Sequence, residues 1–145
     1  MFATRINVMQ LKDIASLNGK SGLFRVAAPT RSGMILESLD ELRSKLVVPA
    51  TARVSVLEEI SIYTTTGEGT VSLKTVLLSV KAKYGDALPV TQDADPAGLA
   101  SFMESVLPDY DAQRVYNSDI RKLVRWYGII SRYAPEAITE EGTAS

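Results

Sequence analysis

The chain of 145 residues contains neither histidine nor cysteine, so Ser-His and Cys-His nucleophile pairs, zinc sites built on those residues, disulfides and iron–sulfur clusters are excluded by composition. With 46% hydrophobic and 23% charged residues, it holds enough apolar material for one compact domain or two small ones. A formal net charge of -1 gives no molecule-wide attraction to nucleic acid or acidic membrane.

The opening MFATRINVMQLK lacks an apolar run of signal-peptide length, and nowhere do ~20 apolar residues follow one another. The expectation is a soluble cytoplasmic protein without membrane contact. QLKDIASL then reads as a short helix, with Leu11, Ile14 and Leu17 on one side and Asn18-Gly19 as its stop. Strand-type segments follow. GLFRVAAPT and GMILESLD flank Arg31-Ser32, and a positive φ at Gly33 would close a hairpin there; SKLVVPA, RVSV and ISIYTT come next. Leu57-Glu58-Glu59 fits a single 3₁₀ turn leading into the last of five strands. The fold class expected is α+β, with a small N-terminal SH3-like β barrel over residues 10–66 followed by a C-terminal three-helix unit over residues 70–138.

At Gly67-Glu68-Gly69 the hydrophobic spacing changes from two to three or four. Leu73, Val76, Leu77, Val80 and Tyr84 form one helical stripe, ended by Gly85. Leu99, Phe102, Met103, Val106 and Leu107 form the next, opened by Asp95 as N-cap with Pro96 at the first position and closed by Pro108. Asn117 or Ser118 is expected to cap a third helix running to about Tyr133. Residues 139–145, with the sequence TEEGTAS from Thr139, read as a disordered tail.

The third helix is where charge concentrates. Between residues 110 and 134 the basic residues Arg114, Arg121, Lys122, Arg125 and Arg132 face only Asp111 and Asp119 as acids. At helical spacing Ile120, Leu123, Val124, Tyr127 and Ile130 share one broad face, while Arg121, Arg125 and Arg132 fall within about 40° of one another. Lys122, Trp126, Ile129 and Tyr133 lie between. That is more apolar surface than one core needs, so the second patch either packs on the β part, docks a partner protein, or stacks bases beside phosphate-binding arginines. On the β side, Arg31, Phe24 and Tyr63 are the corresponding contacts, against the plainer reading of Phe24 and Tyr63 as core and Arg31 as a solvated turn residue.

Other motifs fail on their own terms. Gly19-Lys20-Ser21 is similar to the end of a phosphate-binding loop, but the glycine required five positions earlier is Ile14. Gly67-Glu68-Gly69 could hold an anion on its backbone, yet any strand-to-helix turn asks for the same glycines. Asp93, Asp95, Gly98 and Glu104 match positions of a calcium-binding loop, but Pro96 and Ala97 interrupt it and a capped helix explains them better. Asp109 with Asp111, or Glu58 with Glu59, could pair for acid–base work, though such acids more often cap turns. No catalytic, cofactor-binding or metal-ligating residues are assigned.

The strings GLFRVAAPTRSGMILESLDE, RVSVLEEISIYTT and LPDYDAQRVYNSDIRKLVRWY resemble a family of small cytoplasmic Bacteroidetes proteins made of two adjoining domains of unknown function. The resemblance runs from about Leu11 to about Pro135, with the residues before Met9 as an extra, loose extension. It implies a β part followed by a helical part and carries no site. The function expected is a non-enzymatic protein-binding or adaptor module that acts without a cofactor. Its candidate contacts are Arg31, Arg121, Lys122, Arg125, Trp126, Ile129, Arg132 and Tyr133. The alternatives are a single-stranded RNA or DNA binder and an enzyme without His or Cys chemistry; oligomeric state stays open.

Overall fold

The computed structural model describes residues 9–139; the extension before Met9 and all but the first residue of the expected tail lie outside them. The first departure from expectation comes at once. Leu11–Asp13 make one 3₁₀ turn, and the chain then runs as a strand, β1 (Ile14–Leu17). Ile14 and Ala15 are both fully buried, because β1 is an inner strand of a sheet and feeds a core on each face. A strand covered on both faces does not alternate, so Leu11, Ile14 and Leu17 show only the spacing of a helix.

The remaining sheet strands are β2 (Phe24–Pro29), β3 (Gly33–Ser38), β4 (Lys45–Pro49) and β5 (Val54–Val56). All pair antiparallel in the order β4-β3-β2-β1-β5. Gly33 does not have the positive φ expected of it. It is glycine because β4 passes so close that a Cβ there would run into the Val48 carbonyl oxygen. The outer edge of β4 is guarded. Bonds from Ser38 N–H to the Ser44 carbonyl and from Ala50 N–H to the Ser32 carbonyl fix the alternation that points the backbone groups of Lys45, Val47 and Pro49 away from β3. A proline without an N–H and a lysine on that edge discourage another strand from adding to it.

After the expected 3₁₀ turn at Leu57–Glu59, ISIYTT does not join the sheet. Its strand β6 (Ser61–Tyr63) pairs instead with β7 (Thr70–Ser72), and Gly67 and Gly69, at φ of 64° and 89°, turn the hairpin between them. The fifth place in the sheet is taken by β1. Helix α1 (Leu73–Tyr84) therefore starts behind β7, with Ser72 Oγ accepting from Thr75 N–H. Helix α2 (Pro96–Val106) opens on Asp95, whose carboxylate accepts from Gly98 N–H at 2.8 Å. This is the capped helix that competed with the calcium-loop reading. Helix α3 (Asn117–Tyr133) includes both expected caps; Tyr116 stands at the N-cap position, and Asp119 reaches back to accept from its N–H.

Two cores result. The smaller gathers Leu17, Phe24, Leu36 and Val48, with Val54 packed against them, so all five strands contribute to it, in a five-stranded antiparallel sheet that is not closed into the expected barrel. The larger joins Leu11, Ile14, Leu23, Leu39 and Leu57 to the buried faces of all three helices. The β and helical parts thus share one core across the Leu57–Glu59 turn. On α3 the buried residues are Ile120, Leu123, Val124, Tyr127 and Ile130, the face expected from periodicity. Among the described residues, no helix is long and apolar enough to cross a membrane.

Candidate functional site

The arginine stripe on α3 is not free. Arg121 Nη2 donates to the Ala94 carbonyl at 3.3 Å, and Arg125 Nε to Gln92 Oε1 at 2.6 Å. Both stitch α3 to the segment between α1 and α2. Arg132 Nη2 reaches Glu41 Oε1 at 2.9 Å in the β3–β4 loop, its guanidinium over the ring of Tyr133, whose hydroxyl also approaches Glu41. These arginines tie elements together, leaving little of the stripe to meet a row of phosphates.

The candidate patch is also divided along the helix. Lys122 and Trp126 line a cleft of about 660 Å³ between α3 and the β part, and Arg125 stands at its side. Ile129, Arg132 and Tyr133 instead line a shallower groove of about 440 Å³ with Leu88 and Val124. Arg31 is exposed in the β2–β3 turn and belongs to neither. Phe24 is core, whereas Tyr63, 45% exposed, forms part of the wall of the larger cleft.

That cleft is built from several elements. Its sheet wall is made by Ser16 and Ser55, cross-strand partners on β1 and β5, and by Ser61 and Tyr63 on β6. Its rim is the loop from Asn18 to Gly22, where Gly19 and Gly22 both have φ of 88°. This loop brings Lys20 to the cleft, and the bond from Asn18 N–H to the Arg53 carbonyl at 2.9 Å sets Arg53 beside it. The opposite wall is the N-terminal half of α3, with half-buried Trp126 and exposed Lys122 one turn apart.

Charge in the cleft is lopsided. Lys20, Arg53, Arg114, Lys122 and Arg125 line it against a single carboxylate, Asp119, already engaged by Tyr116 N–H. Arg114 lies with its guanidinium 4.2 Å from the Tyr63 ring centroid and its Nε 3.0 Å from Asp111 Oδ2. That hydrogen bond, then one from Gln113 N–H, holds the Asp111 carboxyl below the usual carboxylate range. By contrast the side chains of Lys20, Arg53 and Lys122 make no hydrogen bond or ion pair with any described residue. Sequence reasoning singled out Lys122 and Trp126. It left Lys20, Arg53 and Arg114 out of the candidate contacts, because they lie far apart in the chain and meet only through the sheet register and the Asp111 turn.

The remaining polar candidates have structural partners. Asp109 accepts from the Thr66 hydroxyl, and its carbonyl accepts from Thr65 N–H, fastening the β6–β7 hairpin to the α2–α3 connection. Tyr127 donates to the Gly85 carbonyl at 2.7 Å, and burial pushes its phenol pKa up. Among the described residues no group of three or more Asp or Glu is placed to hold a metal ion.

Two adjacent family models match this chain: a domain of unknown function, DUF5606, over residues 11–57, and a second, DUF6852, over residues 60–130. The junction falls in the 3₁₀ turn at Leu57–Glu59. No curated protein matches the chain. A solution NMR structure from Bacteroides vulgatus is similar to it, with 34% identity over 90% of each chain and a TM-score of 0.69. The chain therefore belongs to the Bacteroidetes family in which these two domains of unknown function adjoin.

Proposed function

We propose that this protein is a non-enzymatic adaptor module of the cytoplasm that docks a segment of a partner protein in the cleft between α3 and the sheet. The observation that carries this reading is the cleft itself: Trp126 and Lys122 face a wall of serine hydroxyls and Tyr63, so an aromatic anchor and polar groups meet in one concave surface. The strand order, with the last strand returning to the first, and the core fed by all five strands support reading the sheet as an incomplete SH3-like barrel. Small barrels of that kind recognise ligands through loops and exposed aromatics. The lone carboxylate of the cleft, held by Tyr116 N–H, supports a binding role over acid–base chemistry.

A photo-reactive residue at Ser61, exposed in the cleft wall, tests this against the same residue at Arg31, exposed away from it. Irradiation in cells is expected to give a discrete protease-sensitive adduct from position 61 and none from position 31, with the adduct weakened by Trp126→Ala. A nuclease-sensitive adduct would instead favour a single-stranded nucleic-acid binder. Equal labelling at both positions, or none, would overturn the docking role of the cleft.

A further inference from the structure

The molecule as a whole carries 16 basic and 17 acidic residues, yet the cleft inverts that balance with five cationic side chains against one engaged carboxylate. Three of the five, Lys20, Arg53 and Lys122, come from the β1–β2 loop, the residue before β5 and helix α3. They have no partner among the described residues. Like charges around one concavity raise its positive potential, which an anion seated between them relieves. We infer that the segment taken by the cleft is acidic, its carboxylates seated among Lys20, Arg53 and Lys122 and its apolar side chains against Trp126; this rests on the docking role proposed above.

The other groups of the cleft fit such an occupant. Ser16, Ser55 and Ser61 supply hydroxyl donors to a carboxylate or to backbone carbonyls, and Leu123, Ile60 and Ile62 extend the apolar strip beside Trp126. Arg114 and Arg125, already bonded to Asp111 and Gln92, add positive potential without competing for position. A nucleic-acid strand is the poorer fit. Non-specific strand binders follow the backbone with a longer run of cations and several stacking aromatics. Here the arginines that would extend such a run along α3, Arg121 and Arg132, are tied to Ala94 and Glu41.

Trp126 is the single tryptophan and reports on its own cleft. Titration of the purified protein with poly-L-glutamate at low salt is expected to shift Trp126 emission saturably and to weaken as salt rises. Lys20→Glu/Arg53→Glu/Lys122→Glu is expected to lower the apparent affinity roughly tenfold or more, Lys122→Gln alone by a smaller factor, and Arg31→Glu not at all. All three reversed side chains are exposed, and circular dichroism verifies that the variants fold. The inference is overturned by an absent response in the wild type, by an unchanged affinity in the triple variant, or by tighter binding of an oligothymidylate of equal charge. Its failure is separable from that of the docking role: a protein adduct at Ser61 whose captured segment is neutral or basic keeps the adaptor and discards the acidic partner.

Discussion

Arg132 and Lys122 stand on one helix, both exposed and both positively charged, yet their positions have opposite uses. Arg132 meets Glu41 across the molecule, and its neighbours in the stripe, Arg121 and Arg125, hold the connection between α1 and α2. Lys122 lines a cleft where it, Lys20 and Arg53 have no side-chain partner among the described residues. Helical periodicity drew the arginines together as the more conspicuous group. What distinguishes the two sets is the surrounding fold: a cation with a carbonyl or carboxylate in reach becomes a fastener, and one whose cleft holds a single carboxylate, itself engaged by Tyr116 N–H, stays available to a ligand.

The largest expected effect removes the support both sets share. Ile130 is fully buried on the inner face of α3, and Ile130→Ala should lower the unfolding free energy by about 2–5 kcal/mol, read from urea denaturation. Because the larger core joins the sheet to the helices, sheet and helix signals should be lost in one transition; two separate transitions would break the picture of a common core.

A smaller effect comes from Arg132→Ala. Its ion pair with Glu41 is mostly exposed, at 68% and 73% side-chain accessibility, so the loss of stability should stay below about 1 kcal/mol. Poly-L-glutamate affinity should be unchanged. If it fell as far as in the Lys20/Arg53/Lys122 variant, the distinction between fasteners and cleft cations would collapse.

Acid sharpens the position of Arg114, which belongs to both groups. The hydrogen bond from Arg114 lowers the folded-state pKa of Asp111 below its unfolded value near 3.8. The sign follows from linkage: this contribution is fully present above the unfolded pKa and is lost as pH falls through the folded one. Denaturation midpoints measured from pH 5 downward should therefore decline less steeply in Asp111→Asn than in the wild type.

The smallest expected change is in the stability of Lys122→Gln. An exposed side chain without a partner among the described residues should alter the unfolding free energy by no more than about 0.5 kcal/mol. A clear gain in stability would be informative in its own right, since it would measure the mutual repulsion of the cleft cations.

Much of this was legible because it depends on neighbours in sequence. The buried face of α3 follows from the spacing of Ile120, Leu123, Val124, Tyr127 and Ile130, and the Asp95-Pro96 start of α2 and the Gly85 stop of α1 follow from capping chemistry. Where reading failed, burial or topology had overridden a local pattern. Ile14–Leu17 imitates a helix because both its faces are covered. Gly33 imitates a left-handed turn residue but answers the close passage of Val48, and ISIYTT reads as a sheet strand but finds its partner in Thr70–Ser72.

Composition alone excluded histidine and cysteine chemistry, and periodicity alone determined which side of each helix would be buried, since both depend on residue type and short-range spacing. Which cations remain unpaired is a different kind of fact. Lys20, Arg53 and Lys122 reach one cleft only because β5 returns to β1 and α3 stands opposite those strands. Contacts between residues so distant in the chain are set by tertiary packing, which no local pattern encodes.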